Sequence, residues 1–130
     1  MPPSAFRYAV LRIVPDVERE EFVNGGLVLF ARERRFLRVR TKLDVEALAA
    51  LRPDCDLDGI RRQLEMIEHI ADGEVGGVFA DMDQSQRFGW LTTPRSTVVQ
   101  PGPLHAGVTD DPAETFTRLW AALVERRGSA

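Results

Sequence analysis

Residues 8–30 read YAVLRIVPDVEREEFVNGGLVLF, two apolar runs separated by a charged connector. The first run is continuously apolar from Tyr8 to Leu11, which predicts a strand over Phe6–Val14 that is buried on both faces near its middle. A second strand is predicted over Phe22–Ala31, where the pair Gly25-Gly26 indicates a bulge or a close backbone approach. The segment therefore predicts two strands joined by a short connector.

Further strands are expected downstream, the third joined to the second by a tight hairpin at Glu33-Arg34. Their predicted ranges are Arg35–Thr41, Arg87–Leu91 and Ser96–Gln100. The turn between the last two is Thr92-Thr93-Pro94-Arg95, and Pro101-Gly102-Pro103 ends the final strand. The stretch Glu74–Gln86 is expected to be a loop.

Three helices are predicted from capping residues and apolar spacing. Asp44 caps a short helix through Leu51, and Asp56 or Asp58 starts a longer one that ends at Gly73. The longer helix has apolar residues three and four apart: Leu57, Ile60, Leu64, Ile67 and Ala71. The last helix follows the cap Asp111, with Pro112, Glu114 and the apolar residues Phe116, Leu119, Trp120, Leu123 and Val124, and with Arg126 and Arg127 at its negative end.

Together these elements indicate an α+β fold, a mostly antiparallel sheet of about five strands with three helices packed on one face. The chain of 130 residues has the length of one domain. We expect residues 1–130 to form that domain, with residues 1–5 and 128–130 as frayed tails.

Composition narrows the class of protein. A net charge of −3 and a pI near 5.4 argue against a dedicated nucleic-acid binder. The single cysteine, Cys55, excludes an internal disulfide framework and a cysteine zinc cluster. No apolar stretch approaches the roughly 18 residues that span a bilayer, and the N-terminus lacks a secretory layout. We expect a cytoplasmic protein without a membrane segment.

The segment Arg87–Pro112, RFGWLTTPRSTVVQPGPLHAGVTDDP, holds an unusual density of hydrogen-bonding side chains. Guanidinium forks and hydroxyls suit phosphate or carboxylate oxygens, so five of its residues could form an anion pocket: Arg87, Arg95, Ser96, Thr97 and His105. The alternative is that the arginines pair with surface acids while the hydroxyls satisfy the backbone of a turn.

His105 could act as a general base near neutral pH, with Glu21 or Asp110 orienting it. It could equally hold the Pro-Gly-Pro turn through a backbone hydrogen bond. Ser96 and His105 are a weak nucleophile signal, since no G-x-S-x-G surrounds the serine. Asn24 could project from the strand entry toward the late segment, or support a glycine bulge.

Several other site classes are disfavoured. The run DMDQSQ, residues 81–86, has Gln86 and Thr92 where an EF-hand needs glycine and glutamate. The acids near His69 read as a solvated helix side, so no metal is expected. Phosphate-loop and dinucleotide fingerprints are missing, and no cofactor is expected. A basic stripe with Phe36 could track a nucleic-acid backbone, or it could be a charged solvent face or a protected sheet edge; its members are Arg34, Arg38, Arg40 and Lys42.

Two segments together resemble the bacterial family called domain of unknown function 3037: Tyr8–Phe30, with its E-F-V-N, and the stretch from Arg87 through the last helix, with its R-S-T-V-V-Q. The family has no established activity. The resemblance implies a bacterial protein, and some members are encoded beside a kinase similar to the HipA toxins. Matching motif positions are Glu21, Asn24, Arg87, Trp90, Arg95, Ser96, Thr97, Gln100 and His105. This chain has Gly25-Gly26 where the family usually has one glycine, and Gly102 where it commonly has a serine, so a serine nucleophile there is unavailable.

Three hypotheses follow. The first is a small binding or accessory module with a protein partner, which by the resemblance could be a HipA-like kinase. Its partner surface would include Asn24, Arg87, Trp90, Arg95, Ser96, Thr97, Gln100 and His105. The second is an enzyme acting on a phosphate-bearing substrate, nuclease-like or phosphoesterase-like, with His105 as acid or base and Glu21 as orienter or metal ligand. The third is a subunit whose polar segment only stabilises the fold.

Overall fold

A long hairpin of two strands, β1 (Ser4–Asp16) and β2 (Glu21–Ala31), forms the centre of a sheet in the computed structural model, which describes residues 2–125. Three more strands lie within those residues: β3 (Phe36–Thr41), β4 (Val99–Pro101) and β5 (His105–Thr109). The helices are α1 (Val45–Leu51), α2 (Leu57–Asp72), α3 (Gln84–Leu91) and α4 (Pro112–Leu123). Short 3-10 turns occur at Arg32–Arg34 and Gly77–Phe79.

All strand pairs are antiparallel, and the order is β3-β2-β1-β4, with β5 also on β1. β4 pairs with Leu11–Ile13 and β5 with Ser4–Tyr8, so one long strand serves two short partners on the same side. The predicted bulge is present, since the register of β1 and β2 shifts between Leu11 and Arg12. A Cβ on Gly25 would lie 2.4 Å from Ile13 Cδ1, which explains the glycine there.

The sheet is covered on both faces. Helices α1, α2 and α3 bury one face, where Ala9, Leu11 and Ile13 of β1 pack with Val28 and Phe30 of β2. Helix α4 buries the other face, with Phe116 and Trp120 against the opposite side of β2. The α+β class is therefore confirmed, but the helices number four within residues 2–125 and do not share one face. The physical reason is that β2 is apolar on both faces, so each face needs a cover.

The predicted helix caps are confirmed. The Asp44 carboxylate accepts from the backbone N–H of Ala47 at 3.1 Å, and Asp56 accepts from Gly59 at 3.0 Å. Gly73 ends α2 in the left-handed region, with φ of 75°. Asp111 accepts from the N–H of Glu114 at 3.2 Å. These caps could be predicted from the sequence because each one depends on residues within one helical turn.

Three local predictions are wrong. The segment predicted as strand Arg87–Leu91 belongs to helix α3, because Asp83 and Gln86 form a reciprocal capping box that starts a helix. The predicted strand Ser96–Gln100 shortens to β4. Strand β5 was not predicted, and its pairing with Ser4 and Ala5 orders residues that were expected to fray. Arg126, Arg127 and residues 128–130 lie outside the described residues.

None of the helices within residues 2–125 is long and apolar enough to cross a bilayer.

Candidate functional site

The segment Arg95–Gln100 forms a ridge whose side chains alternate between two concavities. Arg95, Thr97 and Val99 face a groove beside α2, which we call the α2 groove. Ser96 and Gln100 face a smaller concavity beside the β1–β2 hairpin, which we call the Phe22 hollow. The polar segment singled out in the sequence therefore serves two adjacent surfaces rather than one pocket.

The α2 groove has a volume of about 570 Å³ and an apolar floor. Ile67, Ile70 and Val99 form that floor, and all three are buried. Met66, which is 50% exposed, lines the groove from α2, and Trp90 lines it from α3. A concave, mostly apolar surface with a few polar groups is the usual form of a binding site.

Arg95 is the distinctive polar group of the α2 groove. Its guanidinium lies 4.2 Å from the centroid of the Trp90 ring. Its Nε donates to the Thr93 carbonyl at 3.2 Å, and its Nη2 donates to the Trp90 carbonyl. It forms no ion pair within residues 2–125. Partial burial lowers the pKa of Arg95 from its ordinary value, since desolvation disfavours the charged form.

The two carbonyls occupy only one edge of this guanidinium. An arginine has five N–H donors in a planar fork, and Nε with Nη2 makes up a single side of it. The outer edge, formed by Nη1 and the second hydrogen of Nη2, stays available. That edge has the geometry that receives a carboxylate or a phosphate through two parallel hydrogen bonds.

A second cation, Arg62, lines the same groove from α2. It is exposed, and no carboxylate of the described residues pairs with it. Asp56 contributes one negative charge at the start of α2, where its carboxylate already accepts from Gly59. The groove thus presents two guanidinium groups without acidic partners, against one carboxylate engaged in capping.

The Phe22 hollow is smaller, about 390 Å³. The Arg12 guanidinium lies 4.3 Å from the centroid of Phe22, whose side chain is 44% exposed. Ser96 and Gln100 complete its other side. A cation over an exposed aromatic ring is a suitable contact for a second macromolecule.

Arg87 and Asn24 have structural positions rather than groove positions. An added Cβ on Gly73 would lie 2.3 Å from Arg87 Nη1, so this guanidinium sits against the end of α2, where a cation is favourable. Arg87 Nε is buried without a hydrogen-bond partner among the described residues. The Asn24 side chain donates to the Leu123 carbonyl at 2.9 Å and ties β2 to α4.

Glu21 lies beside the last residue of β1, whereas His105 lies beside Tyr8, well back along the strand. Glu21 pairs with Asp16 in the sheet and forms an ion pair with Arg19. His105 pairs with Tyr8, and their rings stack with centroids 5.1 Å apart. Eight residues of strand separate these positions, about 26 Å at a rise near 3.3 Å per residue. The register therefore does not bring Glu21 and His105 together, which disfavours an enzyme that uses both side chains in one site.

Two further side chains considered as partners of His105 also lie away from it. Ser96 lies in the Phe22 hollow at the Glu21 end of the sheet, so it cannot be activated by His105. Asp110, the other proposed orienter, lies five positions from His105, beyond the far end of β5. Within residues 2–125 there is also no group of three His, Cys, Asp or Glu side chains that could hold a metal ion.

The basic stripe of β3 lies on the face that α4 covers, at the edge of the sheet. Arg40 lies 4.3 Å from the centroid of Trp120, and Arg38 lies 4.7 Å from Phe36 and 5.6 Å from Phe116. Arg34 donates to the carbonyls of Asp110 and Pro2. These contacts favour the interpretation of the stripe as a protected edge that also covers the aromatic side chains of α4.

Sequence reasoning missed the residues that complete both concavities. Arg62, Gln63 and Met66 of α2 were not singled out, nor were Arg12 and Phe22. One signal was available: Met66 lies off the apolar stripe of α2, so it is an apolar residue on an otherwise polar helix face. Nothing in the local sequence relates α2 to the Arg95 segment, because only the tertiary packing brings them together.

The family model described as Protein of unknown function (DUF3037) matches residues 8–124. Comparison with curated proteins and with solved structures found no match. The matched range covers the ridge, both concavities and the strands and helices that build them. On this evidence the chain belongs to the DUF3037 family, as the motifs in its first and last thirds indicated.

Proposed function

We propose that this protein is a binding module that holds an acidic, partly apolar segment of a partner protein in the α2 groove. One observation carries the proposal: Arg95 is a partly buried guanidinium that lines an apolar groove, stacks on Trp90 and has no acidic partner within residues 2–125. Partial burial disfavours the charge of Arg95, and a carboxylate from outside would offset part of that cost.

The chemistry of the groove defines the segment that fits. A carboxylate would receive two parallel N–H bonds from the free edge of Arg95, and Arg62 would supply a second attraction. An aromatic or aliphatic side chain would cover Met66 and Ile67, where burial contributes about 25 cal/mol per Å². The Phe22 hollow, across the ridge, offers further contact area to a partner larger than one side chain.

Recognition is supported over catalysis by the positions of the titratable groups. The candidates for acid–base chemistry lie about 26 Å apart along β1, whereas the cations and the apolar floor share one groove. A kinase similar to the HipA toxins is a partner candidate that rests on the family resemblance alone. The bacterial origin and the cytoplasmic location also remain predictions.

The proposal is tested with a small probe and its uncharged analogue. Wild-type protein labelled with nitrogen-15 is titrated with 3-phenylpropionate and, separately, with 3-phenylpropionamide. We expect the carboxylate to shift the Trp90 indole resonance in a saturable way and to bind about tenfold more tightly than the amide, since it gains the charge-assisted bonds.

Two variants locate the effect. Arg95→Gln and Arg62→Gln are each expected to weaken binding of 3-phenylpropionate. Arg61→Gln is the matched control, because Arg61 is also on α2 but pairs with Asp58 outside the groove. Equal binding of the acid and the amide, or shifts that survive Arg95→Gln and Arg62→Gln, would reject the proposal.

A further inference from the structure

The two edges of the sheet are built differently. The β3 edge carries Arg38 and Arg40, and Glu68 of α2 reaches over it to accept from the backbone N–H of Thr41 at 2.9 Å. Charged side chains and a covering helix are the usual protections of an edge strand. The β5 edge reads HAGVT, without an acidic residue, a lysine, an arginine or a proline, and within residues 2–125 no strand pairs with its outer side.

The backbone of β5 points its free groups outward at two residues. Val10 accepts from Gly102 at 2.8 Å and Val14 donates to Val98 at 2.6 Å, so even-numbered residues of β1 direct their backbone groups toward the β4 and β5 side. Tyr8 faces His105 and Phe6 faces Gly107 in the register. The N–H and C=O groups of the intervening Ala106 and Val108 therefore point away from the sheet.

The side chains of β5 also divide cleanly between faces. Thr109 contacts Thr115 of α4 at 2.6 Å between hydroxyl oxygens, and His105 stacks on Tyr8, so these two lie on the α4 face. Ala106 and Val108 lie on the opposite face, where both are exposed and Val108 is 70% exposed. Val108 therefore presents an apolar side chain to solvent at this edge of the sheet.

We propose that β5 pairs with β5 of a second copy of this chain, antiparallel about a twofold axis at Gly107. In that register Ala106 lies opposite the partner's Val108, and His105 lies opposite the partner's Thr109. Each copy's Ala106 and Val108 would exchange N–H···O=C bonds with the partner, as in any antiparallel pair. Two sheets would join into one across the axis.

Self-complementarity is the reason to choose a second copy as the occupant. The proposed register places apolar residues opposite apolar residues on one face and polar residues opposite polar residues on the other. Asp110, the nearest acid at the strand end, lies opposite the partner's Leu104, so no like charges meet. A twofold interface requires that one surface match itself in this way.

The inference goes beyond the proposed function and does not depend on it. No residue of the α2 groove belongs to β5, so pairing leaves Arg95 and its groove accessible. A variant that separates the copies is therefore expected to bind 3-phenylpropionate as the wild type does.

Sedimentation equilibrium tests the pairing. We expect the mass of the wild type to rise with concentration toward twice 14.6 kDa. Val108→Lys is expected to stay monomeric, because lysine at an edge discourages pairing. Val78→Lys is the control: Val78 is 77% exposed but lies outside β5, and this variant is expected to dimerise. A wild type that stays monomeric, or a dimer that Val108→Lys leaves intact, overturns the proposal.

Crosslinking tests the register separately. In a Cys55→Ser background, chains with Ala106→Cys are mixed with chains with Val108→Cys under mild oxidation. Directly opposed residues of an antiparallel pair have Cα atoms at about 5.5 Å, a separation that a disulfide spans. We expect the mixed disulfide to form faster than either homodimeric one. A mixed disulfide no faster than the others contradicts the register.

Discussion

The guanidinium carbon of Arg95 lies 4.2 Å from the centroid of the Trp90 ring, and its Nη2 donates to the Trp90 carbonyl. One residue thus holds the cation through both its ring and its backbone. The contact makes the end of α3 part of the lining of the α2 groove. It leaves the outer edge of the guanidinium, Nη1 and the second hydrogen of Nη2, free. The stability of this contact can be measured apart from any ligand.

A double-mutant cycle tests that contact. Arg95→Gln and Trp90→Leu are compared with the double variant by urea denaturation. We expect a coupling of about 0.5–1 kcal/mol, the usual value for a partly exposed cation–π pair. Arg62→Gln with Trp90→Leu is the control cycle and should be additive, since Arg62 does not stack on the ring. Additivity in both cycles would contradict a stabilising contact.

Gly73 is expected to be intolerant of a side chain. Its φ of 75° is left-handed, and a Cβ there would lie 2.3 Å from Arg87 Nη1. Gly73→Ala should lower the free energy of unfolding by about 1–2 kcal/mol, the cost of the left-handed conformation, with the displaced guanidinium adding to it. Gly76→Ala is the matched control, because no atom lies within 4 Å of that Cβ and its φ is −83°. Equal effects at both glycines would refute this account.

The bond between Asn24 and the Leu123 carbonyl is expected to stabilise the end of α4. Asn24→Ala removes the donor and should cost about 1 kcal/mol, with faster hydrogen exchange confined to the last turn of α4. Gln63→Ala removes an exposed amide that has no such bond, and its effect should stay within about 0.5 kcal/mol. Unchanged exchange in α4 would show that the bond contributes nothing.

Asp72 predicts a pH dependence of stability. Burial and the neighbouring Glu74 raise the pKa of Asp72 above its ordinary value of 3.8. The folded state therefore holds this proton more tightly than the unfolded state, and stability falls as the pH rises from 3.8 through the higher folded value. Asp72→Asn should consequently stabilise the protein at pH 7 and have no such effect at pH 3.

The control for that measurement is Asp58→Asn. Asp58 pairs with Arg61 at 3.1 Å in the first turn of α2, so its removal should destabilise the protein at pH 7. Urea midpoints at the two pH values distinguish these opposite signs. If Asp72→Asn destabilised the protein at pH 7, the result would contradict the expectation that the ionised Asp72 carboxylate is unfavourable in the folded state.

The features that the sequence predicted correctly depend on short-range chemistry. Asp44, Asp56 and Asp111 cap helices through N–H groups three residues away, and Gly73 ends α2 because its own φ is positive. The strands β1, β2 and β3 were likewise predicted from continuous or alternating apolar runs. In each case the deciding interaction lies within one helical turn or one strand.

The errors have two different causes. Helix α3 starts at a capping box within the polar run 81–86, a short-range signal that was interpreted as a loop. Strand β5 has too few apolar residues to be predicted as a strand without its partner β1. The expected catalytic pair of Glu21 and His105 assumed that two polar ends of the chain meet. The register of β1 instead places them beside strand positions eight residues apart.

By itself the sequence determined the α+β class, the helix caps, the central hairpin and the importance of the segment from Arg87 onward, because each of these follows from local propensity and spacing. Only the tertiary structure decided that α4 covers the second face of the sheet and that Arg95 and Arg62 share one groove. It also decided that no strand within residues 2–125 pairs with the outer edge of β5. Those relationships join residues far apart in the chain, and no local pattern encodes which distant surfaces will pack together.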